Sequence, residues 1–370
     1  MRVLVACGWP RPVGAATHAE RLSAALRARG LEVHAVAVGN ADRPAAFPEL
    51  GLPPTAVSSA TSLEVALGDG IDIGHAEDPS AAVALIGLRD AGTVGAVVHT
   101  VHHLEAHSEV EPEELERRAI QESDVVVCAS NWWADRIRTQ FGVEALVVPH
   151  GVEADRFAGC AADREAAGDA MGWGGRPVVL TVAGVQARKG SRVLLEAFAR
   201  ARARLGERAL LVLAGPVEES DYRDGWLDDA DRLGLRVHMG ERPPAGADVV
   251  ELGTVPVEHM PLLYRAADVV ATPSTREGFG LTVLEAAAAG VPNVVSDIPV
   301  FGEHLRDGES CLMVPVGDSG PLAMALIRAA RDEALRGRLV AGGAEVARRL
   351  SWTACAAAHE RSYRTVLALR

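Results

Sequence analysis

The chain has 370 residues, 48% hydrophobic and 24% charged, with a formal net charge of -13. That length exceeds one ordinary core and suits two domains of about 150 to 200 residues, while the composition excludes a disordered chain. The acidic balance weighs against nucleic acid as a partner, because such binding is driven by Lys and Arg displacing counterions, and less strongly against docking on an anionic membrane surface.

The opening "MRVLVACGWP" reads as a short apolar strand, Arg2 to Ala6, stopped by Gly8 and Pro10, and not as a secretory signal. No later run approaches about 20 apolar residues, so a cytoplasmic protein is expected. Next, "THAERLSAALRARG" places Ala19, Leu22, Ala25 and Leu26 at helical spacing, with Gly30 as its stop. "LEVHAVAV" returns as a strand, followed by "AVVHTVH", "DVVVCAS" and "ALVVPH". Strands alternating with helices predict a parallel sheet covered on both faces.

The stretch Gly151 to Pro177 is rich in glycine and charge and has no clean period, which marks a boundary. Beyond it the pattern restarts with "VVLTVAG", then the helix "SRVLLEAFARARARLG" with Ser191 as its cap, then the strand "ALLVLAGP". "VVEL", "DVVATPS", "PNVVSD" and "SCLMVP" follow as strands, and "SWTACAAAHERSYRTVLALR" as a closing helix. The expected architecture is α/β, two doubly wound Rossmann-like domains: residues 1–165, joined by 352–370, and residues 166–351. The five cysteines, Cys7, Cys128, Cys160, Cys311 and Cys355, are odd in number and scattered, so they read as small buried residues and not as a disulfide framework or a CxxC metal site.

The richest stretch is "STREGFGLTVLEAAAAGVP", Ser274 to Pro292. A buried strand delivers Ser274 to Gly280 to the edge of the sheet where ligands bind, and a helix starts near Leu281 and ends at Gly290. The first amides of that helix, with those of Phe279 and Gly280, lack internal acceptors and favour a phosphate, and Gly278 and Gly280 would let backbone approach it. Glu277 in the loop and Glu285 one turn into the helix accept hydrogen bonds but repel phosphate, so they suit sugar hydroxyls. On spacing alone, a solvated loop charge and a helix surface residue explain the two glutamates equally well.

The same stretch, continued through "NVVSDIPVFGE", resembles the signature of the family four retaining glycosyltransferases, whose two glutamates are seven residues apart and whose fold is GT-B. The resemblance covers nearly the whole chain. "VVPHGVEADRF" is similar to the family's interdomain segment, with His150 in place of Asn; "VLTVAGVQARKG" is similar to its second-domain opening; Ser351, Trp352 and Tyr363 are similar to its terminal helix, which crosses back to the first domain. What this implies is a hexosyltransferase that moves a sugar, such as that of a UDP-sugar, from a nucleotide-diphosphate donor to a soluble small-molecule or glycan acceptor. The two domains would face each other across a cleft, the first binding the acceptor and the second the donor.

Residue roles are implied where the motif matches. Glu285 would bind the ribose. Glu277 would bind the transferred sugar, with the run Gly278, Phe279, Gly280, Leu281 and Thr282 around the donor. Lys189 would bind the diphosphate; the family's arginine is replaced by Gly184, and Arg188 would substitute for it. Gly14, in "RPVGAATH", falls where the family has its glycine loop, with Ala15 for the second glycine. His102, in "HTVHHLEAH", matches the family's Thr-x-His-Asp stretch with His103 for the Asp, and would line the acceptor side. His75 in "DIGHAEDPSAA" also matches a family position, although a buried structural histidine fits equally. No metal is expected: among the four histidines from His99 to His107, His99 and His103 have the i, i+4 spacing of a zinc helix but fall on a predicted strand. Two other readings stand beside transfer: a nucleotide-sugar epimerase or coupling enzyme of the same fold, and a non-catalytic nucleotide-sugar binding protein.

Overall fold

The computed structural model describes residues 1–8, 13–38, 56–57, 70–104, 110–159, 163–216 and 220–370, which form two compact units. The first is Met1–Gly151 with Trp352–Arg370, and the second is Val152–Ser351. The break therefore falls at the start of the glycine-rich stretch and not at residue 165, because Val152 already pairs with Ser351 and its N–H donates to the Leu350 carbonyl.

The first unit holds a seven-stranded sheet: β1 (Arg2–Gly8), β2 (Glu32–Val38), β3 (Ala56–Val57), β4 (Ile71–Ala76), β5 (Val94–Val101), β6 (Val125–Cys128) and β7 (Ala145–Val147). Its order is β3-β2-β1-β4-β5-β6-β7, and every pairing is parallel. Around it lie α1 (Val13–Ala28), α2 (Pro79–Asp90), α3 (Val110–Glu122), α4 (Asn131–Phe141) and the last helix of the chain, Trp352–Ala368. β1 is apolar and buried from Val3 to Gly8 because helices cover both faces of a parallel sheet. β4 escaped the sequence reading: Asp72, Gly74 and His75 interrupt its apolar run, yet Ile71, Ile73, Gly74, His75 and Ala76 are all buried.

The second unit opens with α5 (Ala154–Ala158) and α6 (Arg164–Ala170) and builds a second seven-stranded sheet, ordered β10-β11-β9-β8-β12-β13-β14 and again parallel throughout. Its strands are β8 (Val178–Val182), β9 (Leu210–Ala214), β10 (Val237–Met239), β11 (Val249–Gly253), β12 (Val269–Thr272), β13 (Asn293–Ser296) and β14 (Leu312–Val314). Its remaining helices are α7 (Ser191–Leu205), α8 (Ser220–Arg232), α9 (Met260–Arg265), α10 (Leu281–Ala288), α11 (Pro299–Gly302), α12 (Ser319–Arg331) and α13 (Glu333–Arg349), so Trp352–Ala368 is α14. The core packs Leu194, Phe198 and Ala201 of α7 and Leu322 and Leu326 of α12 against the sheet.

In both sheets the chain direction across the sheet reverses beside the first strand, between β1 and β4 and between β8 and β12. The C-terminal ends of strands at such a reversal open a crevice with no connection over it, the place where this kind of sheet binds ligands. Among the described residues no helix is long and apolar enough to cross a membrane. Cys7, Cys128, Cys311 and Cys355 are buried, and Cys160 lies outside the described residues.

Candidate functional site

The reversal in the second unit brings together two loops, β8 to α7 and β12 to α10. They are stitched by backbone: Thr275 donates both its N–H (2.9 Å) and its Oγ1 hydroxyl (3.1 Å) to the Arg188 carbonyl. The cap of α7 is Gly190, at φ 70°, and not Ser191, because a side chain at 190 would sit 2.2 Å from the Pro273 carbonyl oxygen. Ser191 is buried and turns its hydroxyl to the Gln186 carbonyl at 3.1 Å.

Glu277 lies at the centre of this junction and is 5% exposed, which rules out the solvated loop charge. Its carboxylate accepts from Lys189 Nζ at 2.8 and 3.0 Å and from Ser274 Oγ at 2.6 Å, and Arg188 Nη1 stands 3.7 Å away. Arg188 is exposed and also donates to the Arg276 carbonyl at 3.3 Å. Two cations face one carboxylate, so the loop pair carries a surplus positive charge at the strand ends. The start of α10 adds to it, since the first N–H groups of a helix have no acceptor within the helix and carry the positive end of its dipole.

Gly280 caps α10 at φ 97°, and a Cβ there would come within 2.5 Å of the Phe301 ring. Packing and backbone conformation, more than room for an incoming ligand, explain the glycine. Phe279 is buried, with its ring 5.2 Å from that of His304; Gly278, Leu281 and Thr282 are partly exposed around it. Glu285, one turn into α10, is half-buried and accepts a 2.6 Å hydrogen bond from the Tyr264 hydroxyl. Burial and the Glu285 charge push the Tyr264 phenol well above its ordinary pKa, so it stays a donor. Lys189, Arg188, Glu277 and the head of α10 thus converge, and Glu285 follows on the same helix. Gly184, where the resemblance places an arginine, has φ 66°, and a Cβ there would fall 2.1 Å from the Pro216 carbonyl oxygen, so no side chain fits that conformation.

The remaining predicted residues lie in the first unit. Gly14 is exposed at the start of α1, with no atom near a Cβ built on it, so close packing gives no reason for glycine there. His102 follows β5 and is half-buried; its Nε2 donates to Glu77 Oε2 at 2.9 Å. Glu77, just after β4, is the residue the sequence reading missed. It is buried, and its carboxylate also accepts from His18 Nδ1 at 2.9 and 3.0 Å, with His75 Nε2 3.5 Å away. Burial alone would raise the Glu77 carboxyl, but His75 beside it and the hydrogen bond from His102 hold it below the ordinary range. His75 is a buried link: Tyr363 donates to its Nδ1 at 2.5 Å, and its Nε2 meets Thr100 Oγ1 at 2.8 Å. His99 is buried with Nδ1 near the Ala76 carbonyl, its pKa lowered to about 4 by burial, and His107 lies outside the described residues. The only hint of Glu77 in the sequence was an acid two residues beyond His75, at the end of a strand that was not recognised.

Residues 164–346 match the family described as glycosyl transferases group 1, and residues 12–156 match glycosyltransferase family 4. Among curated relatives, the phosphatidyl-myo-inositol mannosyltransferase of Mycobacterium leprae is 29% identical over 99% of this chain and 97% of that protein. The D-inositol 3-phosphate glycosyltransferase of Stackebrandtia nassauensis is 31% identical over 69% of this chain, and the match spans 60% of that longer protein. Among solved structures, Anabaena HepE in complex with UDP and glucose covers 99% of this chain and 100% of its own, with a TM-score of 0.77 at 18% identity. The sucrose-phosphate synthase of Thermosynechococcus elongatus also reaches a TM-score of 0.77, at 19% identity over 100% of each chain. With each of its two Rossmann-like units matched by a glycosyltransferase family and its fold shared with these proteins, the chain belongs to the group 1, family four glycosyltransferases and has the GT-B fold.

Proposed function

We propose that this glycosyltransferase takes a sugar from a nucleotide-diphosphate donor, transfers it to the hydroxyl of a soluble acceptor, and retains the donor's anomeric configuration. The observation that carries the donor half is the buried Glu277 held by Lys189 beside the head of α10: a cation, the positive end of a helix and a carboxylate at one strand-end crevice suit a diphosphate and a sugar hydroxyl together. Lys189, Arg188 and the amides of Gly278 to Thr282 take the diphosphate, Glu277 the sugar, and Glu285 the ribose. As the bond from the anomeric carbon to the phosphate oxygen breaks, charge grows on the leaving diphosphate, where preorganised cations and amides lower the barrier most. The acceptor oxygen bonds to that carbon from the same face, and its proton passes to a phosphate oxygen. His102, oriented by Glu77, lines the first unit's crevice and hydrogen-bonds the transferred sugar.

The acceptor class follows from the relatives named for inositol-bearing acceptors, and the acidic charge of this chain favours the soluble one, so D-inositol 3-phosphate is the first to try. UDP is the first nucleotide to try, because the Anabaena protein was solved with it. The diphosphate needs no divalent metal in this reading, since the loop supplies two cations; nucleoside diphosphate affinity should change less than about twofold when magnesium or manganese is added, and a tenfold gain, about 1.4 kcal/mol, would refute it.

A thermal-shift panel of UDP-, GDP- and ADP-sugars tests the donor, because a ligand at a hundred times its dissociation constant stabilises the native state by about 2.7 kcal/mol. One donor should raise the melting temperature and be consumed when the acceptor is added. The Gly184 backbone favours a second reading, a protein that binds the nucleotide sugar without turning it over, since the arginine of the resemblance has no room there. A donor that shifts the melting temperature but is never consumed with any acceptor would select this second reading.

A further inference from the structure

Away from the donor loops, the first unit buries a set of ligating atoms that transfer does not use. Among the described residues, His18 Nε2 on α1 is buried without a hydrogen-bond partner, and so are both ring nitrogens of His359 on α14. Leaving such groups unsatisfied costs about 1 to 3 kcal/mol each, so an arrangement of three in one place calls for a ligand. Cys355 and His359 stand one helical turn apart on the same face of α14, the spacing that lets two side chains of one helix grip one ion. One ligand atom from each of His18, Cys355 and His359 can be chosen such that all lie within 4.8 Å of one another, and all three residues are buried.

We propose that His18, Cys355 and His359 bind a divalent transition-metal ion of the zinc class, which fastens the last helix of the chain to α1. His18 supplies the strongest argument. Its Nδ1–H is committed to Glu77, which fixes the tautomer and leaves the buried Nε2 lone pair without a hydrogen-bond partner among the described residues. A carboxylate behind a ligating histidine is the recurring support of protein zinc, where it orients the ring and raises its basicity.

Two imidazoles and a thiolate suit zinc over magnesium or calcium, which prefer oxygen, and leave one position of a tetrahedral ion for a fourth ligand. On binding, the Cys355 S–H bond breaks, the sulfur bonds to the metal and one proton leaves to solvent. The thiolate and the Glu77 carboxylate together offset the two charges of the ion. The neighbouring set of His18, Glu77 and His102 is explained otherwise, since its members already hydrogen-bond to one another.

The full chain purified from zinc-supplemented cells should carry about one zinc per chain, held by three protein ligands with the fourth position open. Replaced by cobalt, the ion should give the intense sulfur-to-metal charge-transfer band of a thiolate ligand and the visible bands of a tetrahedral centre. Cys355→Ser should abolish the charge-transfer band, and His359→Ala should lower zinc content at least tenfold, while His102→Ala keeps it. A folded wild-type chain that takes up neither zinc nor cobalt overturns the proposal, leaving buried water as the partner of these nitrogens. Zinc held equally well by His359→Ala, or cobalt bound without the sulfur band, overturns it too. Should the variants fail to fold, the wild-type cobalt spectrum alone decides.

Discussion

Lys189 and Glu277, 88 residues apart in sequence, meet through two hydrogen bonds of 2.8 and 3.0 Å at the strand ends of the second unit. That pairing holds the lysine ammonium at the mouth of the crevice beside the head of α10. Lys189→Ala should weaken nucleoside diphosphate binding by about 1.5 to 3 kcal/mol, the scale of a hydrogen bond to a charged group, as read by calorimetry. Unchanged affinity in a folded variant would remove the lysine from the diphosphate site.

Glu277→Gln keeps the shape and removes the charge. If the carboxylate serves the sugar, turnover should fall at least tenfold, about 1.4 kcal/mol of barrier, while nucleoside diphosphate affinity changes little. Steady-state kinetics beside calorimetry separate the two quantities. Equal loss in both would assign Glu277 to the nucleotide.

Tyr264 is buried and donates to Glu285 at 2.6 Å, so it fixes the carboxylate proposed for the ribose. Tyr264→Phe removes only the hydroxyl. It should weaken nucleotide binding by about 1 to 2 kcal/mol while leaving affinity for inorganic diphosphate unchanged, because Glu285 is proposed to contact the ribose and not the diphosphate. The Tyr264 phenol is held well above its ordinary pKa, first by burial and then by the Glu285 charge, so its proton stays on through neutral and mildly alkaline pH and this contribution should be flat there. A loss of diphosphate affinity as large as that of the nucleotide would mean that Tyr264 acts on the loop as a whole.

His102→Ala should cost tenfold or more in turnover, on the order of 1.4 kcal/mol, with the fold intact by circular dichroism. Glu77→Gln should reproduce part of that loss, because it takes the charged partner from His102 while retaining a hydrogen-bonding side chain. Wild-type kinetics for both would reduce the pair to structural residues.

Much of this arrangement was legible in the sequence, and the parts that were not share a cause. The strand Val269–Thr272 and the helix from Leu281 follow from an apolar run, a glycine turn and an alanine-rich period, all local signals. The burial of Glu277 depends on Lys189, which local patterns cannot reach. The cap of α7 was misassigned because Gly190 is chosen by a carbonyl of another loop, Pro273, and not by cap chemistry. β4 was hidden by polar residues that the fold uses, since His75 makes hydrogen bonds to Tyr363 and Thr100 inside the unit. His18 near the start of the chain and Cys355 and His359 near its end come together only through the packing of α14 on α1.

The account turns most directly on proton NMR of the reaction in progress, run with an alpha-configured nucleotide sugar and the inositol phosphate acceptor. It predicts that nucleoside diphosphate appears together with a new anomeric proton whose small coupling marks an alpha linkage. A beta-linked first product, with its large coupling, would contradict retention and make His102 a candidate base on the opposite face of the sugar.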